Sequence, residues 1–116
     1  MADRRHHRRQ IRAGVAGSLL AVLLVGERAV PAEPVTHTVV IENMRFNPDN
    51  LTVERGERVV WVNKDLFPHT VTADGKAFDS GDLQAGSSWA FLATTSGDYT
   101  YTCTYHPGMQ GTLIVQ

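Results

Sequence analysis

The amino-acid sequence predicts an all-β protein, an antiparallel β-sandwich or barrel, and three observations carry that expectation. Roughly seven short runs rich in β-branched and aromatic residues recur at regular spacing after residue 34. Clusters of Gly, Pro, Asn, Asp and Ser separate them. Tyr99-Thr100-Tyr101-Thr102-Cys103 alternates strictly, which puts Tyr99, Tyr101 and Cys103 on one side of a strand and the threonines on the other.

The elements follow in order. Val35–Ile41 is β-branched and apolar, and Asn47-Pro48-Asp49-Asn50 is a turn cluster. Leu51–Val53 resumes the strand pattern, and Glu54–Glu57 turns again around Gly56, which can take a positive φ. Arg58–Asn63 is a nearly continuous apolar strand, as inside a sandwich. Phe67-Pro68 breaks it before His69–Thr72. Asp74-Gly75 and Ser80-Gly81-Asp82 mark a loop region, followed by strands over Ser88–Thr94, Tyr99–Cys103 and Gly111–Val115.

The first third reads differently. Met1 to Arg12 carries five arginines against one acid, Asp3, and Ala13 to Gly26 is an uncharged apolar run of 14 residues. A basic start, a short apolar run and the small residues of Val30-Pro31-Ala32 describe a secretory signal peptide over residues 1–32, cleaved after Ala32. A membrane-spanning helix needs about 20 apolar residues, so the run is too short for a permanent anchor. Arg8-Arg9 is a weak twin-arginine-like feature and does not choose the export route. The remaining 33–116 is one domain with five bases against ten acids, a net charge of −5. Such an acidic domain argues against a nucleic-acid partner and is compatible with steering toward a basic patch on another protein. With one cysteine, it has no internal disulfide.

That cysteine opens the segment Cys103-Thr104-Tyr105-His106-Pro107-Gly108-Met109. A thiolate, an imidazole and a thioether within one short stretch suit copper; two His and one Cys in a trigonal set with a weak axial Met is the blue-copper arrangement. The missing imidazole has several candidates. His6 and His7 leave with the leader, and His37 reads as an ordinary strand histidine between threonines. His69 follows Phe67-Pro68 at a corner between strands, where a ligand is easily aimed, and it is the expected second histidine. Pro107-Gly108 suits a type II turn, which would bring His106 and Met109 within about 7 Å. Asn63, at a strand end, is expected to tie the His69 corner to the backbone of the Cys103 loop.

Trp61-x-Asn63, Pro68-His69, Gly97-x-Tyr99-x-Tyr101-x-Cys103-Thr104-x-His106-Pro107-x-Met109 and a last apolar strand together resemble the cupredoxins, the type 1 blue copper proteins. Within them the plastocyanin and amicyanin group is nearest, the two-residue gap between His106 and Met109 fitting amicyanins. The resemblance covers nearly all of residues 36–116. It implies a Greek-key β-sandwich with one copper on His69, Cys103, His106 and Met109, and a hydrogen bond from Asn63 toward Thr104. It also implies that electrons leave at the His106 edge. Tyr105 and Gly108 depart from amicyanins, which have proline and a bulky aromatic there, and residues 73–87 are shorter.

The expected function is a non-enzymatic one-electron carrier in the periplasm or otherwise exported, a monomer meeting donor and acceptor redox proteins transiently. Phe67, Pro68 and Pro107 are candidates for its apolar docking surface, and Met44 for either that patch or the core. Copper storage or delivery in the cell envelope could use the same ligands. A Cys103–His106 nucleophile lacks an identifiable oxyanion hole or orienting partner, and Met109 is a poor zinc ligand.

Overall fold

The computed structural model describes residues 14–23, 26 and 33–116. The chain divides into two compact units, Met1–Val30 and Pro31–Gln116. In the first, the described residues are exposed and form no regular element. Among the described residues no helix is long and apolar enough to cross a membrane. The arginine-rich start, Arg8-Arg9, His6, His7 and the cleavage position after Ala32 lie outside the described residues.

The second unit is the expected all-β sandwich. Its strands are β1 (Thr36–Glu42), β2 (Arg45–Asn47), β3 (Asn50–Val53), β4 (Arg58–Asn63), β5 (Thr72–Ala73), β6 (Ser88–Leu92), β7 (Gly97–Cys103) and β8 (His106–Val115), with one 3-10 turn at Asp74–Lys76. They form two four-stranded sheets, ordered β2-β1-β4-β6 and β3-β8-β7-β5. Every step of the chain from β2 to β7 crosses to the other sheet. The pairing is mixed rather than antiparallel throughout. β1 runs parallel to β4, and β3 runs parallel to β8. Those partners are joined through strands of the opposite sheet, a path long enough for a parallel return.

The alternation read from sequence decides the core. Val39 and Ile41 of β1, Val59 and Trp61 of β4, Tyr101 and Cys103 of β7, and Leu113 and Val115 of β8 point inward and are buried. Trp61 and Tyr101 meet edge to face across the sandwich, with ring centroids 5.5 Å apart. Each such side chain contributes about 1.5–3 kcal/mol by leaving water. The outer face of β4 carries Val60 and Val62 but is only half-buried, so the strand is not enclosed on both faces.

Three boundaries differ from expectation. β2 is an additional strand, held by one buried residue, Phe46, between Arg45 and Asn47; three residues are too few for a periodic signal. Its hairpin with β1 turns through Asn43 and Met44, both at positive φ, the backbone of a tight two-residue hairpin. The strand expected at His69–Thr72 begins only at Thr72, with His69 making an isolated bridge to Leu83. β8 begins at His106, five residues before the expected start.

Candidate metal centre

Cys103 ends β7 and His106 begins β8. They are directly opposed as the last pair of that antiparallel ladder, so Thr104 and Tyr105 form the turn between them. The expected type II turn at Pro107-Gly108 is therefore not present. Those residues belong to β8, and Gly108 is not at the positive φ that such a turn requires. The register explains how the sequence misleads. Thr102 pairs with Gln110 while Cys103 pairs with His106. Pro107, Gly108 and Met109 are the extra residues of an irregularity in β8. Proline and glycine mark that irregularity instead of a reversal.

His69 lies after β4, held where its amide and carbonyl exchange hydrogen bonds with the carbonyl and amide of Leu83 at 3.0 and 2.7 Å. It is fully buried, as are Asn63 and Cys103. The Cys103 Sγ stands 3.7 Å from His69 Nδ1 and 3.7 Å from His106 Nδ1. All three ligand atoms lie within 4.8 Å of one another. A sulfur about 2.3 Å and a nitrogen about 2.0 Å from one ion, 120° apart, would be about 3.7 Å from each other, so both sulfur–nitrogen distances fit a trigonal S,N,N site. Met109 is buried, and His106 is partly exposed. Thiolate and thioether together with two imidazoles make a donor set that suits copper.

The groups around the ligands fix their orientation. His69 Nε2 donates to Asp65 Oδ2 at 2.8 Å. That bond places the proton on Nε2 and leaves Nδ1 as the free donor atom facing Cys103. Asp65 also accepts the amides of Asn43 at 2.8 Å and Met44 at 3.0 Å. Burial alone would raise its carboxyl, but the Met44 amide, the His69 ring and the Asn43 amide outweigh it and hold the pKa below the ordinary value. Asp65 was not singled out from the sequence; its position four residues before His69, in the same loop, is the available signal.

Asn63 does not reach the Cys103 loop, contrary to expectation. Its Nδ2 donates to the carbonyls of Phe67 at 2.7 Å and Leu83 at 2.9 Å, and its Oδ1 accepts the Asp65 amide at 2.9 Å. It braces the His69 corner internally. Thr70 makes the tie. Its amide donates to Cys103 Sγ at 3.3 Å, and its Oγ1 accepts the Thr104 amide at 2.8 Å and lies 3.0 Å from Thr104 Oγ1. Thr104 is thus in the expected network with a different partner. Nothing local in the sequence marks Thr70, because its partners are 33 and 34 residues away.

Phe67 and Pro68, just before His69, and Pro107, just after His106, are all exposed. Met44 is 37 % exposed and its amide is committed to Asp65, so it is not a core residue. His37 pairs with Glu57 at 3.0 Å in β1, apart from the ligand cluster, as an ordinary strand histidine would.

Comparison with known proteins agrees with this arrangement. The family model described as "Cupredoxin-like domain" matches residues 15–115. Amicyanin from Paracoccus versutus is 35% identical over 92 residues, covering 75% of this chain and 68% of that protein. A plastocyanin from Synechococcus sp. (strain JA-2-3B'a(2-13)) is 33% identical over 122 aligned positions, covering 84% and 89%. Among solved structures, the Cu-containing nitrite reductase from Thermus scotoductus SA-01 superposes with a TM-score of 0.68 at 29% identity, over 76% of this chain and 24% of that one. On the family match, the two-sheet fold and these relatives, the chain belongs to the cupredoxin-like family.

Proposed function

We propose that the protein is an exported type 1 copper protein that carries single electrons between redox partners, with His69, Cys103, His106 and Met109 holding one copper. The observation that carries this reading is the fully buried Cys103 sulfur with an imidazole Nδ1 at 3.7 Å on each side. The similarity to amicyanin and plastocyanin supports it.

Bound there, copper supplies a one-electron couple between Cu(I) and Cu(II). The chain's own residues hold the donors in one geometry for both states. Cys103 is fixed by the end of β7, by the Thr70 amide on its sulfur and by burial that keeps water away. Asp65 keeps His69 in the tautomer that presents Nδ1. His106 is the only partly exposed imidazole of the cluster, and the exposed Phe67, Pro68 and Pro107 lie next to ligands in the chain. That arrangement supports the His106 side as the place where a partner docks transiently. Residues 1–32 act in this reading as the export signal, which places the carrier in the periplasm or an equivalent compartment. In this reading Cys103 serves as a copper ligand rather than as a nucleophile, and the protein acts as a carrier.

The test is to load the protein with copper and oxidise it. An intense visible thiolate-to-copper absorption that disappears in Cys103→Ala is the expected result. A colourless protein, or a band that survives the substitution, would sink the reading.

A further inference from the structure

We propose that Tyr105 and Asp82 form a positioning pair for the hairpin that carries Cys103 and His106, an inference that rests on the metal-centre reading above. Thr104 and Tyr105 are the whole turn between two ligand residues. Thr104 is tied inward to Thr70. Tyr105 has no such anchor in the core, since it is 51% exposed. Its hydroxyl donates to Asp82 Oδ1 at 2.5 Å, a short bond to a charged acceptor.

The acceptor sits on a segment that is itself fastened to the other side of the centre. Leu83 exchanges two backbone hydrogen bonds with His69. Ser80 accepts the Val71 amide on its Oγ at 2.8 Å and donates its own amide to the Val71 carbonyl at 3.0 Å. Asp79 accepts from the Gly81 amide and the Thr72 hydroxyl. Residues 79–83 therefore run fixed alongside His69–Thr72, and Asp82 reaches from them to the turn between Cys103 and His106. Through this pair the segment that holds His69 also holds the hairpin of Cys103 and His106.

The chemistry at stake is the hold on His106. Imidazole suits oxidised copper well, whereas thiolate and thioether suit Cu(I). Cys103 is also held by burial and by the Thr70 amide on its sulfur, whereas His106 is partly exposed, so a slack hairpin would loosen His106 first. A weaker imidazole hold would disfavour oxidised copper and raise the reduction potential.

The experiment is a double-mutant cycle with Tyr105→Phe and Asp82→Ala, plus Asp82→Asn as a variant that keeps an acceptor. In the metal-free protein, hydrogen exchange at the Thr104 amide is expected to accelerate about tenfold in either single variant. The double variant is expected to be no faster than either, and Asp82→Asn to recover most of the protection. In copper-loaded protein, the Phe and Ala variants raise the reduction potential and shift the thiolate band, with far-UV circular dichroism unchanged. Additive effects in the cycle, or single variants with wild-type exchange and potential, overturn the pairing. A wild-type protein without a thiolate–copper band defeats the copper reading instead, and the exchange data on metal-free protein still decide the pair.

Discussion

Asp65 and Asn63 show how much of the centre rests on single side chains that touch no metal. Asp65 gathers three N–H groups and orients His69. Asn63 is fully buried and satisfies two carbonyls and one amide of the loop between β4 and His69. Asn63→Ala leaves those groups unpaired in a buried corner, and we expect it to cost about 2–4 kcal/mol, read as a lower urea midpoint of the metal-free protein. Tyr101 supplies a second residue-scale prediction. Burial pushes its phenol from 10.0 up to about 12. The folded state therefore favours the protonated form. The stability this confers is complete below pH 10 and is lost as pH rises from 10 to 12. The loss amounts to about 2–3 kcal/mol. Denaturant unfolding followed across that range should show the decline in wild type and a flatter profile in Tyr101→Phe.

At the scale of the element, β8 carries both a ligand segment and a core strand, and two of its glycines separate these duties. Gly111 lies opposite Tyr101 in the ladder, and a Cβ there would collide with the Tyr101 ring. The ring is wedged between sheets against Trp61, Phe46 and Phe78 and cannot retreat. Gly111→Ala should destabilise by about 1–3 kcal/mol. Gly108 has open space around a Cβ and no positive φ. Gly108→Ala should change stability by less than about 0.5 kcal/mol. A type II turn at Pro107-Gly108 would reverse that second expectation, because alanine would then be forced to positive φ. Thermal unfolding of the two variants distinguishes these backbones.

At the scale of the whole molecule, the domain keeps several carboxylates in bonded, charged form. The Glu54 amide and then His37 lower the pKa of Glu57, and the Gly81 amide does most to lower that of Asp79. Asp65 is lowered as well. In each case the folded state favours the charged form. The stability gained is present above the ordinary values of 4.5 and 3.8 and drains away as pH falls below them. The urea midpoint of the metal-free domain should be level down to about pH 5 and then fall; a midpoint that rises on acidification would contradict this. Bound copper adds stability by mass action, about 2.7 kcal/mol at a hundredfold excess over Kd, so its removal should lower Tm.

Much of this was legible from the chain because it is local. Period-two alternation sorted Tyr101 and Cys103 inward, and turn residues bounded most strands. Cys103, His106 and Met109, each three residues from the next, read as copper donors from the chain alone. His69 could be picked out because Phe67-Pro68 makes a corner. What tertiary structure alone decided is non-local. The parallel pairings of β1 with β4 and β3 with β8 follow from which sheet each strand returns to. The turn fell at Thr104–Tyr105 rather than Pro107-Gly108 because the register of β7 on β8, not the local preference of proline and glycine, opposes Cys103 to His106. Thr70 replaced Asn63 as the tie to Thr104 because hydrogen bonds select whichever donor the packed sheets bring within about 3 Å. Sequence chose the chemistry of the donors; the packing of distant strands chose which neighbours hold them in place.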